Sequence, residues 1–299
     1  MLSDPTPLFS LAPLLVILIF VFGLIAGSFT NAVVYRVPNK ESLNTRSHCV
    51  HCDHMITWYQ NIPVLSYMFL GGKCANCKGR ISARYPIVEL AVGFLFLGVA
   101  AVVWHLIHAQ LLDTGVIASA DVGNDVGLGA MAALIAGYLL TATGLSALFI
   151  IDIERKLLPR QIIFWTTGLL AAALVAAVAL SGGLWLSQLI EAAVCAVALF
   201  AFYFTLWFVY PKGMGFGDVR LAALIGLAGG FFGWEVVVVA TMSAFVLAGI
   251  YGVSLMVLQK GANVKTAIPF GPWMIIGLLV GMIFGHNVID IYMSISGLR

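Results

Sequence analysis

The sequence predicts an all-α, polytopic membrane protein of about eight transmembrane helices, with a small cytoplasmic loop domain stabilised by zinc. Three observations carry that expectation. Of 299 residues, 62% are hydrophobic and 9% charged, whereas soluble domains carry about 25% charged residues. Apolar runs of about 20 residues recur along the chain, the length that crosses a hydrocarbon core. Four cysteines sit in one polar stretch between the first two runs. A mean hydropathy of +1.04 excludes the soluble globular class.

The expected spans are 8–34, 86–112, 128–151, 161–181, 185–210, 217–232, 234–258 and 270–294. The first apolar run lacks a basic n-region and is too long for the h-region of a cleaved signal, so it reads as a span. The stretch 217–258 is divided because a single helix would run about 60 Å, twice the hydrocarbon thickness. Gly229, Gly230, Gly233 and Glu235 mark the turn inside it. Its first half is short for a full span. Either the helix starts within the preceding Gly-rich stretch, or that stretch enters the membrane.

Lys and Arg set the orientation. Arg36, Lys40, Arg46, Lys73, Lys78, Arg80 and Arg84 lie between the first two spans. Arg155, Lys156, Arg160, Lys212, Arg220, Lys260 and Lys265 fall on later loops of the same side. The opposite loops, near Asp113, Asp121 and Asp125, near Gly182 and near Glu235, carry none; only Arg299 falls on that side. The basic side is therefore expected in the cytoplasm, with both termini outside.

Residues 35–85 are polar and too few to bury a core without a staple. A staple is legible: Cys49-Val50-His51-Cys52 is followed, after 21 residues, by Cys74-Ala75-Asn76-Cys77. Paired C-x-x-C knuckles at this spacing read as a tetrahedral zinc site. Four ligands leave no open position, so the metal is expected to be structural. A cytoplasmic setting disfavours disulfides. They stay open as alternatives, with a redox pair or a ligand exchange with His48, His51 or His54. Cys195, alone in a span, reads as a small packing residue.

Two aspartates stand where apolar sequence meets charge. Asp152 lies in LFIIDIERKLLPR, and Asp218 closes Gly215-Phe216-Gly217-Asp218. A charge at the centre of a span costs about 2.5–3.5 kcal/mol on insertion scales, so such a carboxylate is a functional hypothesis. An isolated interfacial aspartate is commonly a solvated helix end. That reading weakens here because both aspartates fall on the same expected face, and two glycines beside Asp218 permit close approach. Two close carboxylates share a proton, which supplies an acid and a base for activating water against a peptide carbonyl. Asp4, Asp113, Asp121, Asp125 and Asp290 read as outer loop or interface charges. Glu89 and Glu191 lie within apolar runs, and Glu89 is a candidate for a second site.

These features, with the strings GSFTNAVVYRVP, NIPVLSYMFLGGKC, ISARYPIVEL and IPFGP, resemble the type IV prepilin peptidases over nearly the whole chain and in the expected order. Those are bifunctional leader peptidase/N-methyltransferases. The resemblance implies an intramembrane-type aspartic protease that cuts the basic leader of prepilins and pseudopilins after a glycine at the cytoplasmic face. It implies catalytic roles for Asp152 and Asp218, supporting backbone at Gly215 and Gly217, and metal roles for Cys49, Cys52, Cys74 and Cys77. It further implies methylation of the new α-amino group from S-adenosylmethionine. No Gly-x-Gly-x-x-Gly fingerprint is present, so that site is expected on the 35–85 segment and its junctions, with Asn61, Arg84, Tyr85 and Glu89 as candidates. The implied division is a first transmembrane helix 1–34, a four-cysteine segment 35–85 and a peptidase domain 86–299. The implied setting is the bacterial inner membrane, serving type IV pili or type II secretion, with no nucleic-acid partner. Rival readings lack their signatures: a carboxylate-relay carrier wants internal repeats, and a zinc metalloprotease wants His-Glu-x-x-His.

Overall fold

The structure is a computed structural model that describes residues 7–49, 51–113, 127–258 and 269–297. Expectations placed on Asp4, Asp121, Asp125, Lys260, Lys265 and Arg299 lie outside the described residues. Among the described residues the fold is all-helical, with two isolated bridges and no strand. The helices are α1 (Pro7–Arg36), α2 (Leu65–Phe69), α3 (Arg84–Asp113), α4 (Leu128–Arg155), α5 (Arg160–Leu180), α6 (Leu186–Val209), α7 (Phe216–Gly230), α8 (Trp234–Leu258) and α9 (Gly271–Ile295). Among the described residues, seven of these are long and apolar enough to cross a membrane. The remaining expected span, α7, has 15 residues and reaches only about 22 Å. It starts within the Gly-rich stretch, at Phe216, the first of the two alternatives. Two compact units divide the chain, Met1–Ala101 and Val102–Arg299.

In the first unit, α1 meets α3 where side chains are missing. A Cβ on Gly27 would lie 2.6 Å from the Cα of Glu89, and one on Gly23 would lie 2.7 Å from the Cα of Gly93. Small residues let transmembrane helices approach closely. One turn beyond Gly27, the Asn31 side-chain amide donates to the Tyr85 carbonyl at 3.1 Å. Arg36 ends α1 and is buried despite its charge. Its guanidinium donates to the carbonyls of Leu43 (3.1 Å), Thr45 (2.8 Å) and Arg46 (3.3 Å), folding the chain back after the helix. Buried charges need such partners.

The second unit is arranged around α7. No residue of that helix is exposed, as expected of a helix that beyond Asp218 and Arg220 is apolar all round. Against α6, a Cβ on Gly226 would lie 2.7 Å from the Cα of Ala196, and one on Gly230 would lie 3.1 Å from the sulfur of Cys195. Cys195 is thus a buried packing residue. At the far end of α7, the Tyr138 hydroxyl of α4 donates to the Ala228 carbonyl at 2.6 Å. Trp185 and Phe231 close that end edge to face, with ring centroids 6.3 Å apart. Glu191, which stood out in its apolar run, accepts the Trp234 N–H at 2.8 Å and ties the start of α8 to α6. On α9, Gly277, Gly281 and Gly285 face Val236, Ala240 and Ala244 of α8 with no side chain between the backbones.

Candidate active site

Asp152 falls in the last turn of α4, one turn longer than expected, and is 5% exposed. The helix stops at Lys156, whose left-handed backbone (φ 51°) donates back to the Asp152 carbonyl. The Asp152 side chain accepts the Gly271 N–H through Oδ2 at 3.1 Å. Gly271 is the first residue of α9, so the unsatisfied, partly positive end of that helix points at this carboxylate.

Asp218 lies in the first turn of α7 and is 7% exposed. Its Oδ2 accepts the N–H of Gly215, the N-cap, at 3.2 Å. A carboxylate at this position is favoured by the helix dipole. Each aspartate is therefore aimed by the backbone of a helix start, one its own and one distant.

The two aspartates come together. Their charges lie within electrostatic reach of each other, and a packed path joins them. A Cβ on Gly271 would sit 2.8 Å from Asp152 Oδ2 and 3.3 Å from Leu158 Cδ1. A Cβ on Gly217 would sit 2.7 Å from Leu158 Cβ. Leu158 wedges between the two glycines. Tyr203 of α6 is buried within electrostatic reach of Asp218. Its ring stands 6.1 Å from that of Phe270, the residue before Gly271. Sequence reasoning missed Gly271, Leu158 and Tyr203 as parts of this site. The one available signal was Gly271-Pro272, a helix start, which says nothing about what the start faces.

The four cysteines cluster in the first unit. Their sulfurs all lie within 4.8 Å of one another and could hold a metal ion, and Cys49 and Cys77 stand 3.9 Å apart. Four sulfurs about 2.3 Å from an ion at tetrahedral angles stand about 3.8 Å apart, whereas a disulfide needs about 2.05 Å. The two knuckles repeat one construction. Cys49 N–H donates to His54 O and Asp53 N–H to Cys49 O, at 3.0 and 2.9 Å. Cys74 N–H donates to Gly79 O and Lys78 N–H to Cys74 O, at 2.8 and 3.1 Å. Asp53 and Lys78, each four residues after the first cysteine, take left-handed backbone at φ 52° and 59°. Bridges His48–Met55 and Lys73–Arg80 close the two turns.

The knuckle backbones prepare the sulfurs for a cation. Backbone N–H groups of Cys77 and Asn76 bring the Cys74 thiol down to about 6. The His54 backbone lowers Cys52. Cys77 goes up to about 11: the Gly79 N–H acts to lower it, and the Cys52 sulfur, burial and the other two sulfurs outweigh that. Four sulfurs in one cluster cannot all ionise without a cation among them.

The methyl-transfer candidates are unevenly placed. Glu89 is buried on α3 and accepts the Val64 N–H at 2.7 Å. Tyr85 lies one turn earlier and is exposed, Arg84 is half-buried beside it, and Asn61 is exposed at the end of a 3-10 turn, Trp58–Asn61. Gln60 in that turn accepts the Thr57 N–H at 3.3 Å.

Known proteins are similar to this chain along most of its length. Residues 21–105 match the Bacterial Peptidase A24 N-terminal domain, and residues 139–253 match the Type IV leader peptidase family. The chain is 32% identical to a prepilin leader peptidase/N-methyltransferase of Stutzerimonas stutzeri over 306 residues, covering 93% of each chain. It is 30% identical to the protein of that name in Pseudomonas aeruginosa, again over 93% of each. To the Myxococcus xanthus protein of that name it is 48% identical over 85 residues, 28% of this chain and 25% of the relative. No solved structure matches. With a relative 32% identical along 93% of both chains, this multi-pass membrane protein belongs to the type IV leader peptidase family.

Proposed function

We propose that the protein is a bifunctional prepilin leader peptidase and N-methyltransferase of the bacterial inner membrane. The observation that carries the peptidase half is the pair of buried aspartates, each aimed by a helix-start N–H. One aspartate, ionised, takes a proton from water. The water oxygen attacks the scissile carbonyl while the other aspartate, protonated, donates to it. Collapse breaks the C–N bond: the first aspartate passes the proton it took from water to the leaving amine, and the second recovers a proton from the diol hydroxyl. The glycines at 217 and 271 let the backbone close onto Leu158 and Asp152 with no side chain between, which holds the two carboxylates in place. The substrates are prepilins and pseudopilins, cut after a glycine at the cytoplasmic face, in service of type IV pili or type II secretion.

The segment 35–85, after a first membrane helix 1–34 and before the peptidase domain 86–299, carries the metal and contributes to methylation. Cys49, Cys52, Cys74 and Cys77 hold a structural zinc ion. Their clustered sulfurs support this reading. S-adenosylmethionine is the methyl donor, met by this segment and its junction with α3, with Glu89, Tyr85, Arg84 and Asn61 as contacts.

The test compares membranes bearing the wild type, Asp152→Asn and Asp218→Asn in cleavage of a prepilin, with the product mass recorded. Wild-type membranes shorten the prepilin and add one methyl group, and each single variant leaves it full length. Cleavage by both variants would sink the aspartate assignment. An unmethylated product would sink the transferase half alone.

A further inference from the structure

The first unit holds a polar cluster that neither the aspartates nor the cysteines account for. Glu89 is 7% exposed, and its carboxylate takes the Val64 N–H and the Ser28 hydroxyl. To reach it, Val64 adopts φ 61°, a conformation a β-branched residue enters only under constraint. Asn31 is 5% exposed and spans from α1 to the Tyr85 carbonyl through its nitrogen. Its oxygen, Oδ1, has no hydrogen-bond partner among the described residues. Beside it, Thr30 is 0% exposed and its Oγ1 is also unpartnered. The helices show what a hydroxyl ordinarily does here. Thr141, Thr143, Thr205 and Thr241 each donate to the carbonyl one turn back, at 2.7–3.0 Å. Thr30 does not. A buried polar atom left unpaired costs about 1–3 kcal/mol, and two neighbours are left so.

These residues line one seam between α1 and α3, and their free atoms share one chemistry. Gly27 brings α1 onto the backbone at Glu89. Thr30 and Asn31 follow it by three and four residues, the helical spacing that keeps them on the same side. Carboxylate, carboxamide oxygen and hydroxyl oxygen are all acceptors. Two unpaired acceptors on a seam that also holds a carboxylate match a group with a positive charge and three N–H donors. That group is a primary ammonium. A sulfonium has the charge but no donors, and a guanidinium is flat and wider.

We propose that Thr30, Asn31 and Glu89 form a seat for a primary α-ammonium, with Ser28 and Val64 holding Glu89 in place. The assignment rests on the methyltransferase reading for its two sources. One is the new N-terminal amine of the processed substrate. The other is the amino-acid end of the methyl donor. Both present the same ammonium.

The experiment uses the full-length protein in nanodiscs and measures direct binding, apart from turnover. The probes are a synthetic peptide carrying a pilin's mature N-terminus, S-adenosylhomocysteine, and the α-N-acetylated form of each. Wild type is expected to bind the free-amine form of one of them at least about tenfold more tightly than its acetylated form, the worth of one charge-assisted hydrogen bond. The probe that shows this preference names the source. Glu89→Gln keeps the acceptor for Val64 and loses the charge; Thr30→Val keeps the shape and loses the oxygen. Both are expected to lose the preference, and Thr30→Ser, which keeps the oxygen, to retain it. Thr30→Val removes an unpaired buried atom, so its melting midpoint is expected to equal or exceed that of wild type. Equal binding of free and acetylated forms by the wild type overturns the seat, and so does a preference that survives both Glu89→Gln and Thr30→Val. Methyl transfer is scored separately. Binding preference without transfer sinks the methyltransferase reading and leaves the seat standing.

Discussion

At Gly271 one hydrogen atom in place of a methyl group decides how Asp152 is held. A Cβ there would press on the carboxylate at 2.8 Å while its own N–H still bonds it. Gly271→Ala therefore displaces the aspartate without removing it. Misplacement by about 1 Å costs on the order of 100-fold in rate, so prepilin cleavage by Gly271→Ala is expected to fall by about that factor with KM little changed. A wild-type turnover number would refute the role. Gly217 makes a second case. Gly217→Ala meets Leu158 at 2.7 Å and is expected to destabilise by about 1–3 kcal/mol through overpacking. Leu158→Ala in the same chain clears the collision. A double-mutant cycle on melting should show coupling of about 1 kcal/mol; additive effects would mean that Leu158 is not the wedge. The aspartates themselves were legible because charge stands out in apolar sequence. Gly271 was not, since its partner lies 119 residues away and nothing local marks a backbone N–H as aimed at anything.

The knuckle pair is the element most fully readable beforehand, because C-x-x-C geometry is local. What the spacing did not reveal is how the turns close: two left-handed residues, Asp53 and Lys78, each donating back to the leading cysteine. A bound metal and protons compete for the same sulfurs. The Cys74 thiol sits at about 6, below its ordinary value of 9.0. Its thiolate persists in the folded module as pH falls, and that contribution fades on the way down to about 6. Metal content of the purified protein, read by mass spectrometry after dialysis, is therefore expected to hold at pH 7–8 and to be lost only in acid, below the metal-free value of about 6, because a bound metal resists protonation of its ligands. Metal content equal to that of the wild type in a protein carrying Cys49→Ala and Cys74→Ala would exclude thiolate ligation. Chelation at neutral pH should open residues 35–85 to protease, since so short a segment has little core of its own. Resistance equal to that of the untreated protein would show the metal to be dispensable for its fold.

For the molecule as a whole, composition announced membrane helices, and the runs placed them to within a turn. It did not announce which helix would be central. From Leu221 on, α7 is apolar on every face and carries no periodicity to point inward, so it looked like a short span when it is the buried axis of the second unit. Long-range effects follow from the rods around it. Gly281 lies ten residues along α9 from Gly271, about 15 Å away. Gly281→Leu forces α8 and α9 apart at Val236 and Ala240, and because the helix moves as a rod it also shifts the N–H that aims Asp152. Both melting midpoint and cleavage are expected to fall together; a destabilised protein with full activity per folded molecule would show the two ends of α9 to be uncoupled. The enclosure of α7 reaches further. A helix wrapped by its neighbours is not measured against lipid thickness. In thinner or thicker bilayers the outer helices take up the hydrophobic mismatch by tilting, while the depth of Asp218 is fixed by protein rather than by acyl chains. The aspartate pair should keep its geometry across membranes of different chain length.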